Sequence, residues 1–146
     1  MIFSIIYVSK ALHPMKNEDL TDLLEQSRSW NESFGITGML LYIDGQEPGR
    51  KPGRFMQVIE GTQSDIMLLF NKIKEDRRHH QITVLHEGRT GRRHFKQWSM
   101  GFKTISDNAL GREGFIDFED AFLKNKRQPK FNMAFNYLKS FYEMKL

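Results

Sequence analysis

An α+β fold of order βαββαββ is predicted by three observations. Five strand-length apolar or alternating runs occur at Ile2–Ser9, Ile36–Ile43, Arg54–Glu60, Gln81–Glu87 and Lys96–Phe102. Two helical stripes with polar starts occupy Asn17–Ser33 and Ser64–Glu75. The helices follow the first and third strands, which splits two βαβ units. Such a split gives a ferredoxin-like sheet with both helices on one face and the first and third strands side by side.

Each element carries its own justification. In the first run a two-residue period puts Tyr7 on the face of Phe3 and Ile5. In the first helix Asn17 stands as N-cap before Glu18 and Asp19, and Leu20, Leu23 and Leu24 form an apolar stripe. The same spacing carries that stripe on to Ser27 and Asn31, so the core face turns polar near the helix end. In the third strand Gln57 shares a face with Phe55 and Ile59, and Gly61-Thr62-Gln63-Ser64-Asp65 gives the second helix its polar start. A buried amide without a partner costs roughly 1–3 kcal/mol. Tyr7, Asn31 and Gln57 therefore satisfy one another or hold a polar ligand between them.

Residues 1–103 form the domain that this pattern defines, and residues 104–146 read as a helical appendage. Thr104–Gly114 is polar and irregular, followed by helical segments at Phe115–Lys124 and Pro129–Met144. Phe131, Phe135, Leu138 and Tyr142 recur at helical spacing, as expected for packing on the other face of the sheet or on a partner.

Composition bounds the function. A chain of 146 residues is long enough for one domain with a substantial core. It has no cysteine, hence neither a disulfide framework nor a thiolate metal site. No apolar run approaches the ~20 residues of a membrane span, and no segment reads as a signal peptide, so a soluble, cytoplasmic protein is expected. The net charge of +4 is spread along the chain. Its densest basic stretches, Arg89–Lys96 and Arg50–Arg54, are expected to be solvated faces, and a nucleic-acid partner is not expected. Neither GxGxxG after the first strand nor GxxxxGK[ST] occurs, and His79-His80 cannot place both rings on one face. Ser9, Ser27 and Ser99 lack the GxSxG setting of an activated nucleophile, so no metal site and no hydrolase chemistry is expected.

The residues do resemble one family, the BLUF (blue-light-using flavin) photoreceptor domains. The likeness runs in order through Ile6-Tyr7-Val8-Ser9, Ser27, Asn31, Gly35-Ile36-Thr37-Gly38, Phe55-Met56-Gln57-Val58-Ile59-Glu60-Gly61, Asp76-Arg77-Arg78-His79 and Trp98-Ser99-Met100. Each piece is weak alone; together they are specific. The resemblance implies a flavin between the two helices, FAD in the cell, with FMN or riboflavin as alternatives. It implies that Tyr7 donates an electron and a proton under light, and that Gln57 is an amide switching between that phenol and flavin N5 and C4=O. Asn31 is similar to the residue bonding the flavin C4=O and N3–H edge, and Ser27 to a serine of the first-helix pocket. Lys72, Asp76, Arg78 and His79 match cofactor-binding positions near C2=O and the ribityl-phosphate side, and Trp98 and Met100 match a last-strand pair that carries the signal outward.

Two departures from the family pattern stand out. The connection Asp44–Arg54 is long, with a polar insertion at residues 46–53, and Trp30 takes a position more often polar. Its indole either stacks on the flavin or faces solvent. The expectation is a blue-light photoreceptor without enzymatic output, similar to short stand-alone members that form homo-oligomers and signal to an output protein in trans. The alternative is a light-insensitive ferredoxin-like module that binds protein or RNA through its sheet. That would require stacking aromatics on an exposed sheet face. A small acyl-phosphate hydrolase on the same fold is more distant, because Leu12-His13-Pro14-Met15-Lys16 supplies no phosphate cradle.

Overall fold

A computed structural model of the chain describes residues 1–44, 53–103, 115–116 and 133–143. Along the sequence run β1 (Ile2–Ala11), α1 (Asn17–Ser33), β2 (Thr37–Ile43), β3 (Arg54–Gly61), α2 (Gln63–Glu75), β4 (His79–Thr90), β5 (Trp98–Lys103), β6 (Phe115–Ile116) and α3 (Met133–Glu143). The strands form one mixed sheet in the order β4-β1-β3-β2-β5-β6. Strand β3 lies antiparallel between β1 and β2, which sets Gln57 opposite Tyr7 on one side and Leu40 on the other. Strand β5 joins β2 in parallel, with Trp98 opposite Gly38 and Met100 opposite Leu40. Four neighbouring positions across the sheet thus place Tyr7, Gln57, Leu40 and Met100 in a row.

The helices begin as their sequences require. Asp19 Oδ2 accepts from the Lys16 backbone N–H at 2.9 Å, which makes Lys16 the N-cap in place of the expected Asn17. Thr62 Oγ1 accepts from Asp65 N–H at the start of α2. Beyond α1, Gly35 takes a left-handed φ of 64°, and Gly38 (φ 149°) lies so close to the Val58 carbonyl that a Cβ would collide with it.

Alternation divides the sheet. Phe3, Ile5, Tyr7, Phe55, Ile59, Leu40 and Trp98 face α1 and α2 in two clusters. Ile6, Met39, Leu41, Ile43, Met56 and Val58 face the other way and are covered by Ala134, Leu138 and Phe141 of α3. The face that an RNA-binding sheet would expose is therefore packed beneath α3. Both helices of the split βαβ pattern lie together, as predicted, and the terminal helix takes the opposite face. Its buried stripe is Ala134, Leu138 and Phe141, with Phe135 and Tyr142 at the margin, so the expected aromatic stripe is rotated; Phe131 lies outside the described residues.

Other boundaries shift too. Strand β4 starts at His79 and reaches Thr90, because β1 offers it partners from Ala11 to Ile2. Its register slips opposite Tyr7 and again opposite Ser9, where Gln81 takes φ 53°. Phe115–Ile116, expected to open a helix, instead pairs as β6 with Met100 and Gly101, since β5 would otherwise leave an edge unpaired. The rest of that expected helix and residues 45–52, most of the insertion, lie outside the described residues.

The basic stretch before β5 is not simply solvated. Glu60 is fully buried and accepts from Thr37 Oγ1 and from the His94 and Phe95 backbone N–H groups at 2.7–3.0 Å. Arg93 donates to Thr37 Oγ1 and to the Glu60 carbonyl. A buried carboxylate is thus satisfied by backbone donors, and this fixes the chain just ahead of Trp98.

Candidate functional site

Between α1 and α2 the two apolar clusters do not meet, and a cleft of about 680 Å³, counting its open mouth, separates them. Its floor is Tyr7, Leu40, Phe55 and Gln57. Helix α1 contributes Leu23, Gln26, Ser27, Trp30 and Asn31, while α2 and the turn after it contribute Leu69, Lys72, Ile73, Asp76, Arg78 and His79. That mixture of apolar walls with few polar groups suits a heteroaromatic ligand.

One hydrogen-bonded chain crosses the floor. Gln57 Nε2 donates to the Tyr7 hydroxyl at 2.6 Å, and Trp98 Nε1 donates to Gln57 Oε1 at 3.0 Å. An indole N–H only donates, so it fixes the amide with its oxygen toward Trp98 and its NH₂ toward Tyr7. The Tyr7 hydroxyl accepts from Gln57 and keeps its own proton for another acceptor. Desolvation pushes the Tyr7 phenol well above its ordinary pKa, outweighing the Gln57 hydrogen bond that lowers it. The ring is thereby held neutral.

On the α1 wall Asn31 is 1% exposed, and its Oδ1 has no hydrogen-bond partner among the described residues. An orphaned acceptor at that depth is unfavourable by roughly 1–3 kcal/mol unless a ligand donates to it. Trp30, beside it, also lines the cleft, with a buried Nε1 that lacks a partner. Lys72 Nζ sits 3.7 Å from the centre of the Trp30 ring, and Phe34 stacks at 4.7 Å.

The far end of the cleft is tied by charge. Arg78 Nε donates to both Asp76 oxygens at 2.9 and 3.1 Å, and Nη1 reaches Gln26 Oε1 on α1 at 3.1 Å. Burial pulls the Asp76 carboxyl up, but the Arg78 hydrogen bonds more than offset it and leave the carboxyl below its ordinary range. The same hydrogen bonds to Asp76 hold the Arg78 guanidinium above its own ordinary value against burial. His79 Nε2 donates to the Ile73 carbonyl at 2.7 Å, so Nδ1 of a neutral ring accepts from Ser9 Oγ at 2.7 Å. Both ring nitrogens are engaged by protein.

Of the residues the sequence singled out, Tyr7, Ser27, Asn31, Gln57, Lys72, Asp76, Arg78 and His79 meet on this cleft. Trp98 and Met100 do not line it; they lie buried behind Gln57 with Leu40 and Leu24. Sequence reasoning missed Gln26, whose clasp with Arg78 spans 52 positions and leaves no local signal. It also missed Leu23 and Phe55 as cleft walls, since both belong equally to the apolar stripes of their elements.

Comparison with known proteins names the ligand. A family model described as BLUF, sensors of blue-light using FAD, matches residues 2–101. The chain belongs to the BLUF family. Photoactivated adenylate cyclase subunit alpha of Euglena gracilis is 33% identical over 84 residues, which are 58% of this chain and 8% of that protein. The BLUF chain here thus spans under a tenth of the curated relative it matches. Among solved structures, Klebsiella pneumoniae BlrP1 with FMN and cyclic diGMP superposes at a TM-score of 0.69 and 26% identity over 97% of this chain and 34% of that one. BlsA in its photo-activated state gives 0.62 and 28% over 94% of this chain and 91% of that one. The protein is a blue-light photoreceptor of this family, whose members use FAD as chromophore. The cleft fits such a group, because the orphaned Asn31 acceptor and the spare Tyr7 proton require complementary partners of the kind a flavin edge presents. Among the described residues no helix is long and apolar enough to cross a membrane, and no cluster of three metal-ligating side chains occurs.

Proposed function

We propose that this receptor senses light by rearranging the Tyr7–Gln57–Trp98 hydrogen bonds beside FAD held in the α1–α2 cleft. The observation that carries the proposal is the continuity of that chain, 2.6 Å and 3.0 Å, from the cleft floor into the core behind it. Flavin, when bound, supplies blue absorption and an excited state that accepts an electron. Tyr7 would give that group an electron and then, to an acceptor atom of the same group, the hydroxyl proton that Gln57 leaves free, because a phenol that is a weak acid when neutral becomes a strong one once oxidised. Gln57 moves without changing charge: turning its amide over exchanges an acceptor for a donor at both ends. The turn breaks the Trp98 bond, since an NH₂ cannot accept from an indole N–H. Trp98 and its core neighbour Met100 are thereby told of an event in the cleft.

Asn31, Ser27, Lys72, Asp76 and Arg78 hold the cofactor in this proposal. His79 positions instead of binding, because Ser9 and Ile73 occupy its ring. We assign the receptor no catalytic turnover and an output protein in trans, with assembly into a homo-oligomer in the cytoplasm; the match over 91% of BlsA supports a compact receptor of this kind. The deciding experiment is spectroscopic. The purified protein should be yellow and show a small, reversible red shift under blue light. Bound flavin that bleaches or stays unshifted would overturn the hydrogen-bond switch.

A further inference from the structure

Trp30 poses a chemical problem for the proposed switch. It lines the same cleft as Tyr7, and indoles give up an electron about as readily as phenols. An electron passing from the Trp30 ring to the excited flavin would leave an indole radical cation and a one-electron-reduced flavin. Its return would restore both with no bond made or broken, so the photon would be lost as heat. Tyr7 would then stay intact and Gln57 would not move.

The surroundings of Trp30 oppose this loop. Lys72 Nζ lies 3.7 Å from the ring centre, and a neighbouring ammonium stabilises the electron-rich neutral ring while repelling a cation formed beneath it. The buried Trp30 Nε1 has no hydrogen-bond partner among the described residues, so the oxidised ring has no acceptor there to which it could shed its proton and escape that repulsion. Tyr7 differs in its charge setting: no cation sits over its ring among the described contacts. We propose that Lys72 acts as an electrostatic guard on Trp30, keeping electron donation with Tyr7. Lys72 is here a positioning residue for charge, and the inference rests on the reading of the cleft as the flavin site.

The test uses the full chain with Lys72→Met, Trp30→Phe and the double variant, flavin affinity being measured for each so that yields are compared per bound flavin. Lys72→Met keeps most of the stem and removes the charge. It should speed electron loss from Trp30 by about tenfold or more, cutting the red-shifted photoproduct yield to roughly half or less and shortening the flavin excited-state lifetime. Adding Trp30→Phe should restore the yield to that of Trp30→Phe alone, since the indole beneath Lys72 is gone. A second readout needs no light: voltammetry of protein carrying Trp98→Phe, where Trp30 is the remaining indole, should show a lower oxidation potential once Lys72→Met is added. An unchanged yield in Lys72→Met, a loss that persists in the double variant, or an unchanged Trp30 potential would each overturn the guard. A wild-type protein whose bound flavin never red-shifts would instead overturn the reading of the switch, and the potential shift would still decide the guard.

Discussion

The two faces of the sheet are built from the same strands and do opposite things. Ile6, Met56 and Val58 meet α3 in a closed apolar layer, whereas Tyr7 and Gln57, one position away, border a cleft with an orphaned acceptor. One face is filled and specifies the fold. The other is left incomplete between its helices, with polar groups on its floor and wall. Strand β3 contributes to both, with Gln57 on the cleft side and its neighbours Met56 and Val58 beneath α3.

The largest expected effect tests the cleft face. Tyr7→Phe keeps the ring that packs near Phe70 and removes the hydroxyl, so flavin colour should remain while the reversible red shift disappears. A normal shift in this variant would end the assignment of Tyr7. Gln57→Leu has similar volume and should also retain flavin, but it deletes both hydrogen bonds of the floor and frees the Trp98 N–H. Difference spectra should show no normal red-shifted product. If they do, the amide is not the switch.

The α3 face should respond in the opposite sense. Leu138→Ala removes a fully buried side chain and should cost about 2–5 kcal/mol of stability in urea unfolding. The photoproduct yield per bound flavin should nevertheless match wild type. A yield that falls with stability would mean that the faces are coupled in the dark state, and the division drawn above would fail.

Much of this contrast is legible in the sequence, for reasons that particular residues make plain. Leu20, Leu23, Leu24 and Asn31 follow one helical period, so a polar end to an apolar stripe is visible without a structure. Tyr7 and Gln57 become neighbours once the split βαβ order is recognised, because that order puts the first and third strands together. The bond from Trp98 to Gln57 is not legible in this way, since spacing does not say which residue of β5 reaches over β2 to β3. Glu60 and His79 were opaque in a different way. Their partners, Phe95 and His94 in a loop for one and Ser9 at a register slip and Ile73 near the end of α2 for the other, are brought up by geometry that no periodicity encodes. The two-residue β6 is too short to leave any pattern at all.

The smallest effect sharpens the comparison at the cleft's far end, where the tie between helices is ionic instead of apolar. Asp76 and Arg78 are both partly exposed, so Asp76→Asn should cost on the order of 1 kcal/mol or less, with a modest loss of flavin affinity as the Arg78–Gln26 clasp loosens. The pH dependence identifies the cause. The Asp76 carboxyl is depressed below its ordinary 3.8 in the folded protein, so its contribution is present above that value and is lost as pH falls through the folded pKa. Urea midpoints of wild type and Asp76→Asn should therefore differ by a constant amount from neutral pH down to about pH 4 and converge only below it. Convergence already near pH 6 would assign the difference to another group, such as a histidine, and would remove Asp76 from the account of how the cleft is held shut.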